Sequence, residues 1–507
     1  MSKACFVFAV LLGSVLAGSA NASGPAQVAN SADNAKNGQD ITVINHIVIL
    51  MQENRSLDHY FGELRQYWAD NGYKDQSFDG LPQFNPKKGI KPLYEPPPTN
   101  PGCNPAYQKP HRCVFDTSNP VTSYHLITQC LETPSASWNQ AHEDWNAHDP
   151  IGAHPAQNGF VWTTANYKRD SFYDTDGIRA MGYYDGGTPS VTGDLNYYYF
   201  MASKFGTSDR FFQPVMTRTA SNRDYLLAAT SQGYIYPVGT NQNDKSLLTA
   251  TNIFQALQAA GVTWKIYVNP GTVCSGPPYD PSCLLGLSYI QFFVWGHTIP
   301  TDYPKNIDVV DGYFSDLQNG TLPQVALLEP ASDVGLDEHP SDLDEYPINS
   351  QRGAYYAASE INALMASSAW QNSALFLTYD ESGGFYDHVP ARKAVNPDGI
   401  KPVDLEPGDI CTTKEGVNCD FNYTGNRIPL IVISPYSKEN YVSHTVADTT
   451  AILKFIETRF GLSSLTKRDA AQMDMTEFFN FNDGVWLTPP TPPTQNTSGP
   501  CYLNKLP

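Results

Sequence analysis

Past residue 40 the apolar runs of the chain are short, and several stop abruptly at polar residues. Ile47-Val48-Ile49-Leu50-Met51 stops at Gln52-Glu53-Asn54-Arg55, and Ala374 to Tyr379, ALFLTY, stops at Asp380-Glu381. Gln324 to Leu328 leads into EPASDVGLDEHPSD, and RIPLIVIS spans Arg427 to Ser434. Unbroken apolar runs of this length read as strands buried on both faces, as in a parallel sheet. The first strand is expected over Ile41 to Met51, and a further one over Val262 to Val268. Between them the pattern changes to helical. Helices are expected over Ser56–Trp68, Ser135–Asn146, Leu195–Phe205, from near Thr219 towards Gly233, and over Asn252–Ala260. Others follow over Val309–Gln318, Ser350–Trp370 and Asp448–Phe460. Strands alternating with helices predict an α/β fold with a mainly parallel central sheet covered on both faces. Pro-, Gly- and Asn-rich stretches over 79–120, 271–282 and 395–423 predict long loop insertions.

The first 22 residues have another character. Lys3, the apolar run Phe6 to Leu16 and Ala20-Asn21-Ala22 form a secretory signal peptide, 1–22. A polar, flexible lead-in over 23–40 follows; residues 41–483 read as one large domain and 484–507 as a Pro-rich surface tail. No later apolar run is long enough to cross a bilayer, so the expected location is periplasmic or secreted. Nine cysteines are present; Cys5 leaves with the signal, and an even number remains in an exported chain, which favours disulfides. Cys274/Cys283 and Cys411/Cys419 are close enough to clamp single loops. Cys103, Cys113, Cys130 and Cys501 supply two more, with the pairing open.

The formal charge of −19 disfavours nucleic acid and anionic lipid surfaces as habitual partners. An enzyme this acidic needs a local cation to handle an anionic substrate. Glu53 and Asn54 stand where such a cation binds, beyond the carboxyl end of a buried strand. They serve equally well as a cap for the next helix. Asp380 and Glu381 repeat the arrangement, and adjacent carboxylates repel each other without a cation. Gly383-Gly384 then lets the backbone turn or pass close to a ligand. Thr219 falls at a predicted helix start, where free N–H groups and the positive dipole end favour a phosphoryl group. The same position suits a plain N-cap, with Thr217 and Ser221 as neighbours in contention. His339, His388, His142 and His444 are the histidines best placed to donate to phosphate oxygens or to a leaving group. There is no G-x-S-x-G elbow, Walker A loop, Rossmann glycine fingerprint or H-E-x-x-H.

HIVILMQENRSLDHYFG closely resembles the opening motif of the bacterial phospholipase C/acid phosphatase (AcpA-like) phosphoesterase family. The resemblance runs from about Asn45 to Leu462 through NGFVWTTAN, SDRFFQPVMTRTASNRDYLLAATSQG, NGTLPQVALLEP, DEHPSD, LTYDESGGFYDHVP and RIPLIVISPYS. It implies an alkaline-phosphatase-like α/β/α sandwich, with 41–483 as the phosphoesterase catalytic domain. It implies a divalent cation (calcium, magnesium or manganese) held by Glu53, Asn54, Thr219, Asp380 and Glu381. Thr219 is then the nucleophile, giving a phosphothreonyl intermediate, and His339, with His142 or His388, holds the phosphate or protonates the leaving group. Asn54, Thr219 and His339 are the substrate-binding set. Many relatives carry a His where this chain has Ala136. The chain lacks the twin-arginine signal and the β-rich C-terminal extensions of the large haemolytic relatives. The reading reached is therefore an exported acid phosphatase of broad specificity, with a phospholipase C as the alternative. Small phosphomonoesters or phospholipids are the expected substrates. A non-catalytic periplasmic binding protein on the same fold is the rival of another class.

Overall fold

The computed structural model describes residues 40–75, 77–84, 95–103, 113–166, 177–238, 247–340 and 349–502. The expected signal peptide, nearly all of the lead-in and the last five residues of the tail lie outside the described residues. The central sheet has eight strands: β1 (His46–Gln52), β2 (Gly206–Ser208), β3 (Trp264–Val268), β4 (Ile307–Val309), β5 (Val325–Leu328), β6 (Ser373–Tyr379), β7 (Leu430–Ile433) and β8 (Tyr441–Ser443). Their spatial order is β4-β3-β5-β1-β6-β7-β2-β8. The run from β4 to β6 is parallel throughout. β7 runs antiparallel to both β6 and β2, and β8 is parallel to β2.

β6 is buried at every position, and β1 at every position after His46. Successive side chains of a strand point to opposite faces, so both faces here are covered, which is why these strands are apolar without alternation. The expected first strand begins only at His46; the residues before it include a 3₁₀ turn, Ile41–Val43. β4 and β8 were not expected, since three residues are too few to leave a readable pattern.

The expected helix over 56–68 is split in two, α1 (Leu57–Phe61) and α2 (Leu64–Asn71). His142 lies on α3 (Trp138–Trp145), and Thr219 opens α4 (Thr219–Ala228). α5 (Ile253–Ala260) starts at Asn252, whose side chain accepts from Gln255 N–H, and closes at Gly261. α6 (Ser350–Ala366) starts at Asn349, which accepts from the N–H groups of Gln351 and Arg352. Both are side-chain caps on otherwise orphaned donors. The expected helix over Ser350–Trp370 overran: a 3₁₀ segment, Ser368–Asn372, takes over beyond Ala366.

Four disulfides join Cys103–Cys113, Cys130–Cys501, Cys274–Cys283 and Cys411–Cys419. They suit an oxidising compartment. Among the described residues no helix is long and apolar enough to cross a membrane.

Candidate active site

Parallel strands deliver their carboxyl ends to one edge of the sheet, where ligands bind in open α/β folds. Leu50 lies opposite both Leu328 and Leu377, and Gln52 opposite Tyr379. Glu53, Glu329 and Asp380-Glu381 therefore leave the sheet side by side. Asn54 takes a left-handed backbone (φ 66°), which asparagine tolerates better than most residues. That turn aims its N–H at Asp380 Oδ1, 3.1 Å away. Asp380 Oδ1 also accepts from Glu381 N–H at 2.7 Å, and Glu381 Oε2 from Gly383 N–H at 3.0 Å. The backbone N–H of Thr219 donates to the Glu381 carboxylate as well. The two strand-end motifs and the start of α4 are thus one hydrogen-bonded unit.

Arg223, one turn into α4, reaches under this unit. Its Nε lies 3.3 Å from Asp380 Oδ2, its Nη2 3.3 Å from Glu53 Oε1, and its Nη1 3.4 Å from Glu329 Oε2. The Tyr289 ring packs against the guanidinium at 4.7 Å, and the Tyr289 hydroxyl donates to Glu53 Oε1 at 3.3 Å. Glu329 and Tyr289 escaped the sequence reading. Glu329 stood in plain view at the end of VALLEP, the same position that singled out Glu53 and Asp380; Tyr289 lies in a loop with no such signal.

Four buried carboxylates gather here, three of them facing one buried guanidinium. Burial pushes Glu53 and Glu381 well above the ordinary carboxyl range, and Asp380 and Glu329 upward too. Arg223 pulls Glu53, Asp380 and Glu329 back down, while Asp380 raises its two carboxylate neighbours further. Asn54 Oδ1 is buried without a hydrogen-bond partner. Excess negative charge beside an orphaned amide oxygen is what a hard cation would relieve, so the residues fit the divalent ion that the motifs suggested. The tightest His-carboxylate groupings among the described residues lie elsewhere, at Asp58/Asp387/His388 and His125/Asp185/Asp194. At the strand ends, Arg223 stands between the carboxylates.

A cavity of about 350 Å³ opens over this floor. Asn54, Thr219 and Glu381 line it, together with Arg218, His339 and Tyr289. His339 N–H donates to Asp337 Oδ1 at 3.2 Å, and its Nδ1 faces Pro340 O. The structure does not bring the other two expected histidines here. His142 is enclosed within α3, its ring 4.1 Å from that of Trp138, its nitrogens facing Trp138 O and Asn418 O. Burial lowers its pKa to about 4, so it is a neutral packing residue. His388 is bound to Asp58 at 2.7 Å and lies 3.4 Å from Asp79, beside Arg427. It ties the loop after β6 to α1. Ala136, at the position where relatives carry a His, does line the cavity. His444, the fourth histidine, pairs with Asp209 at 2.9 Å.

Residues 44–463 match the model of the Phosphoesterase family. Phospholipase C B of Mycobacterium tuberculosis is 31% identical over 502 residues, covering 92% of this chain and 82% of that one. The hemolytic phospholipase C of Pseudomonas aeruginosa is 28% identical over 476 residues, covering 86% of this chain and 56% of that one. Among solved structures, a protein in the alkaline phosphatase superfamily from Vibrio parahaemolyticus aligns at 12% identity with a TM-score of 0.32, over 57% of this chain and 65% of that one. The family match covers all eight strands of the central sheet and both strand-end motifs: the chain belongs to the Phosphoesterase family and is a hydrolase of phosphoric esters.

Proposed function

We propose that ester cleavage takes place in the cavity over Glu53, Asn54, Asp380 and Glu381, with Thr219 as the nucleophile, and that the substrates are phosphoesters, either diesters of the phospholipase C kind or monoesters. The observation that carries the site is the position of Thr219. It is the first residue of a ten-residue helix, it lines the cavity, and its own N–H is tied to Glu381. A helix start presents free N–H groups and a positive dipole end to phosphoryl oxygens. A divalent cation held by Glu53, Asn54, Thr219, Asp380 and Glu381 would supply a Lewis acid that activates the hydroxyl and shields the phosphoryl charge. Such an all-oxygen set favours calcium, magnesium or manganese.

The chain's own groups do the rest. Thr219 Oγ1 gives up its proton to solvent and forms the bond to phosphorus as the in-line bond to the departing oxygen breaks, yielding a phosphothreonyl enzyme. His339 lies within the same cavity, where its ring can protonate that oxygen and then take a proton from the water that releases the phosphoryl group. Arg223 keeps Glu53 and Asp380 apart and oriented.

The choice of substrate turns on the relatives. A preference for phosphomonoesters rested on the compactness of the chain. The mycobacterial phospholipase C is matched over 82% of its length, so compactness does not separate the two classes. One observation keeps the phosphatase reading in play: Arg218, a full cation, lines the wall beside Thr219. Thr219→Ala is expected to lower turnover of p-nitrophenyl phosphate, p-nitrophenylphosphorylcholine and phosphatidylcholine by about a thousandfold with folding intact. Exhaustive chelation is expected to do the same reversibly. Near-normal rates in the variant would remove Thr219 from its role. Full activity after chelation would remove the cation. No turnover of any ester by the metal-supplemented parent protein would favour a binding protein.

A further inference from the structure

Arg218 immediately precedes Thr219 in an extended conformation (φ −86°, ψ −178°) and lines the cavity. It is the one Lys or Arg among the described residues of that lining. Its situation is the reverse of Arg223's. Arg223 is buried, and each of its nitrogens has a carboxylate or carbonyl partner. Arg218 is half-buried, and its Nε is shielded from solvent with no hydrogen-bond partner. Its guanidinium is 5.9 Å from the Tyr236 ring centroid. Buried donors are almost always paired in native proteins. The Arg218 side chain lines the cavity next to the nucleophile and feels Glu381 only as a charge, with no ion pair to a carboxylate within 4.0 Å among the described residues; its guanidinium is therefore placed for a ligand, and its forked geometry suits phosphate or carboxylate oxygens.

The rest of the wall gives a positive headgroup little to bind. Thr133, Ser135 and Ser137 contribute neutral groups, and Glu381 is the only carboxylate among the described residues of the lining. Quaternary ammonium groups are held by open aromatic faces. Here the Tyr289 ring is already covered by Arg223, the Phe292 ring packs edge-on against Tyr289 at 5.8 Å, and the Tyr236 ring, outside the lining, stands against Arg218.

We propose that Arg218 sets the substrate class: phosphoesters with an additional negative charge, on the phosphoryl group or on the headgroup, are taken in preference to those with a quaternary ammonium. This rests on the proposed role of Thr219 and narrows it. The shared chemistry has two sources, a soluble phosphomonoester dianion and a lipid with a phosphorylated headgroup.

Two substrate pairs separate them: p-nitrophenyl phosphate against p-nitrophenylphosphorylcholine, and vesicles carrying phosphatidylinositol 4-phosphate against vesicles of phosphatidylcholine alone. The parent enzyme is expected to show the higher kcat/KM for the anionic member of at least one pair, and that pair names the source. In Arg218→Gln that ratio is expected to fall by about tenfold or more, chiefly through KM, and Arg218→Lys is expected to recover part of it. A ratio unchanged in Arg218→Gln overturns the proposal, as does a parent enzyme that prefers the choline member of both pairs. If Arg218→Gln melts far below the parent, the parent's preference and the Lys variant decide. Thr219→Ala keeps the two readings apart. Loss of all turnover there with an unchanged ratio in Arg218→Gln sinks only the Arg218 assignment, whereas persistent turnover in Thr219→Ala sinks the site itself.

Discussion

At the scale of single residues, the molecule separates cations that hold the structure from cations left for a ligand. Arg223 and Arg427 are buried among carboxylates and backbone carbonyls; Arg218 is not. His388 belongs with the first kind, and it makes stability depend on pH. Burial disfavours its charged ring, but Asp58 and the hydrogen bonds to Asp58 and Asp79 outweigh both that and the repulsion of Arg427, so its pKa rises to about 9. An unfolded histidine titrates near 6.5. Between these two values the folded protein holds a proton that the unfolded chain has lost. The resulting stabilisation is complete below about pH 6.5 and is lost as pH climbs through 9, on the order of 3 kcal/mol in all. Asp387, in the same cluster, titrates lower, at about 6, outside that window. His388→Gln is expected to flatten the fall in stability across the window relative to the parent, as read from urea melts. Parallel profiles for the two proteins would show that the ion pair carries no such linkage.

At the scale of elements, the strands before the two acidic motifs could be read because both faces of β1 and β6 are covered. Their apolar runs are unbroken, and the first polar residue marks the sheet edge. The direction of β7 could not be read, because RIPLIVIS is equally apolar run either way. Nor could the partners of His388: Asp58 lies 330 residues away in sequence, and only the fold brings it within reach. His142 misled for a related reason: the i,i+4 spacing puts it beside Trp138, but a helix sequence does not show whether that face meets a cavity or is closed over, as here by Asn418. Gly383-Gly384 was legible as a close approach, and the structure says to what. Gly383 has φ +69°, and a Cβ there would stand 2.4 Å from Asn54 O. Gly383→Ala therefore presses on the residue whose amide oxygen faces the proposed cation. The expected result is a loss of about 1–3 kcal/mol of stability from strain, together with a fall in kcat of about a hundredfold from misplacing Asn54. Gly399 has φ +81° with open space around it. Gly399→Ala is thus the control, expected to show strain without the kcat loss. Equal kcat in the two variants would detach the Gly-Gly turn from the site.

At the scale of the whole molecule, the Pro-rich tail is a strap, and its far end is fastened beside the cavity. Trp486 N–H donates to Pro435 O at 2.9 Å, Asn196 Nδ2 to Thr494 O at 2.8 Å, and Gly499 N–H to Gln351 Oε1 at 2.8 Å. Gln129 N–H donates to Pro500 O at 2.7 Å, and the next residue, Cys130, bonds to Cys501 across 371 residues of chain. A few residues further on, Thr133 to Ser137 form one wall of the cavity. The other three disulfides close loops of only 8 to 10 residues. Loop-closure entropy grows with loop length, so the Cys130–Cys501 bond should stabilise most, by roughly 6 kcal/mol on the chain-entropy account. Replacing both cysteines, Cys130→Ala with Cys501→Ala, is expected to lower the denaturation midpoint more than removing the Cys411–Cys419 pair does. It is also expected to raise KM, because the wall loses its fastening, while kcat, which the proposed nucleophile Thr219 on α4 would set, changes much less. A double variant with the parent's midpoint and KM would mean that the tail's hydrogen bonds hold the wall without the bond, and that the strap acts only as a cover.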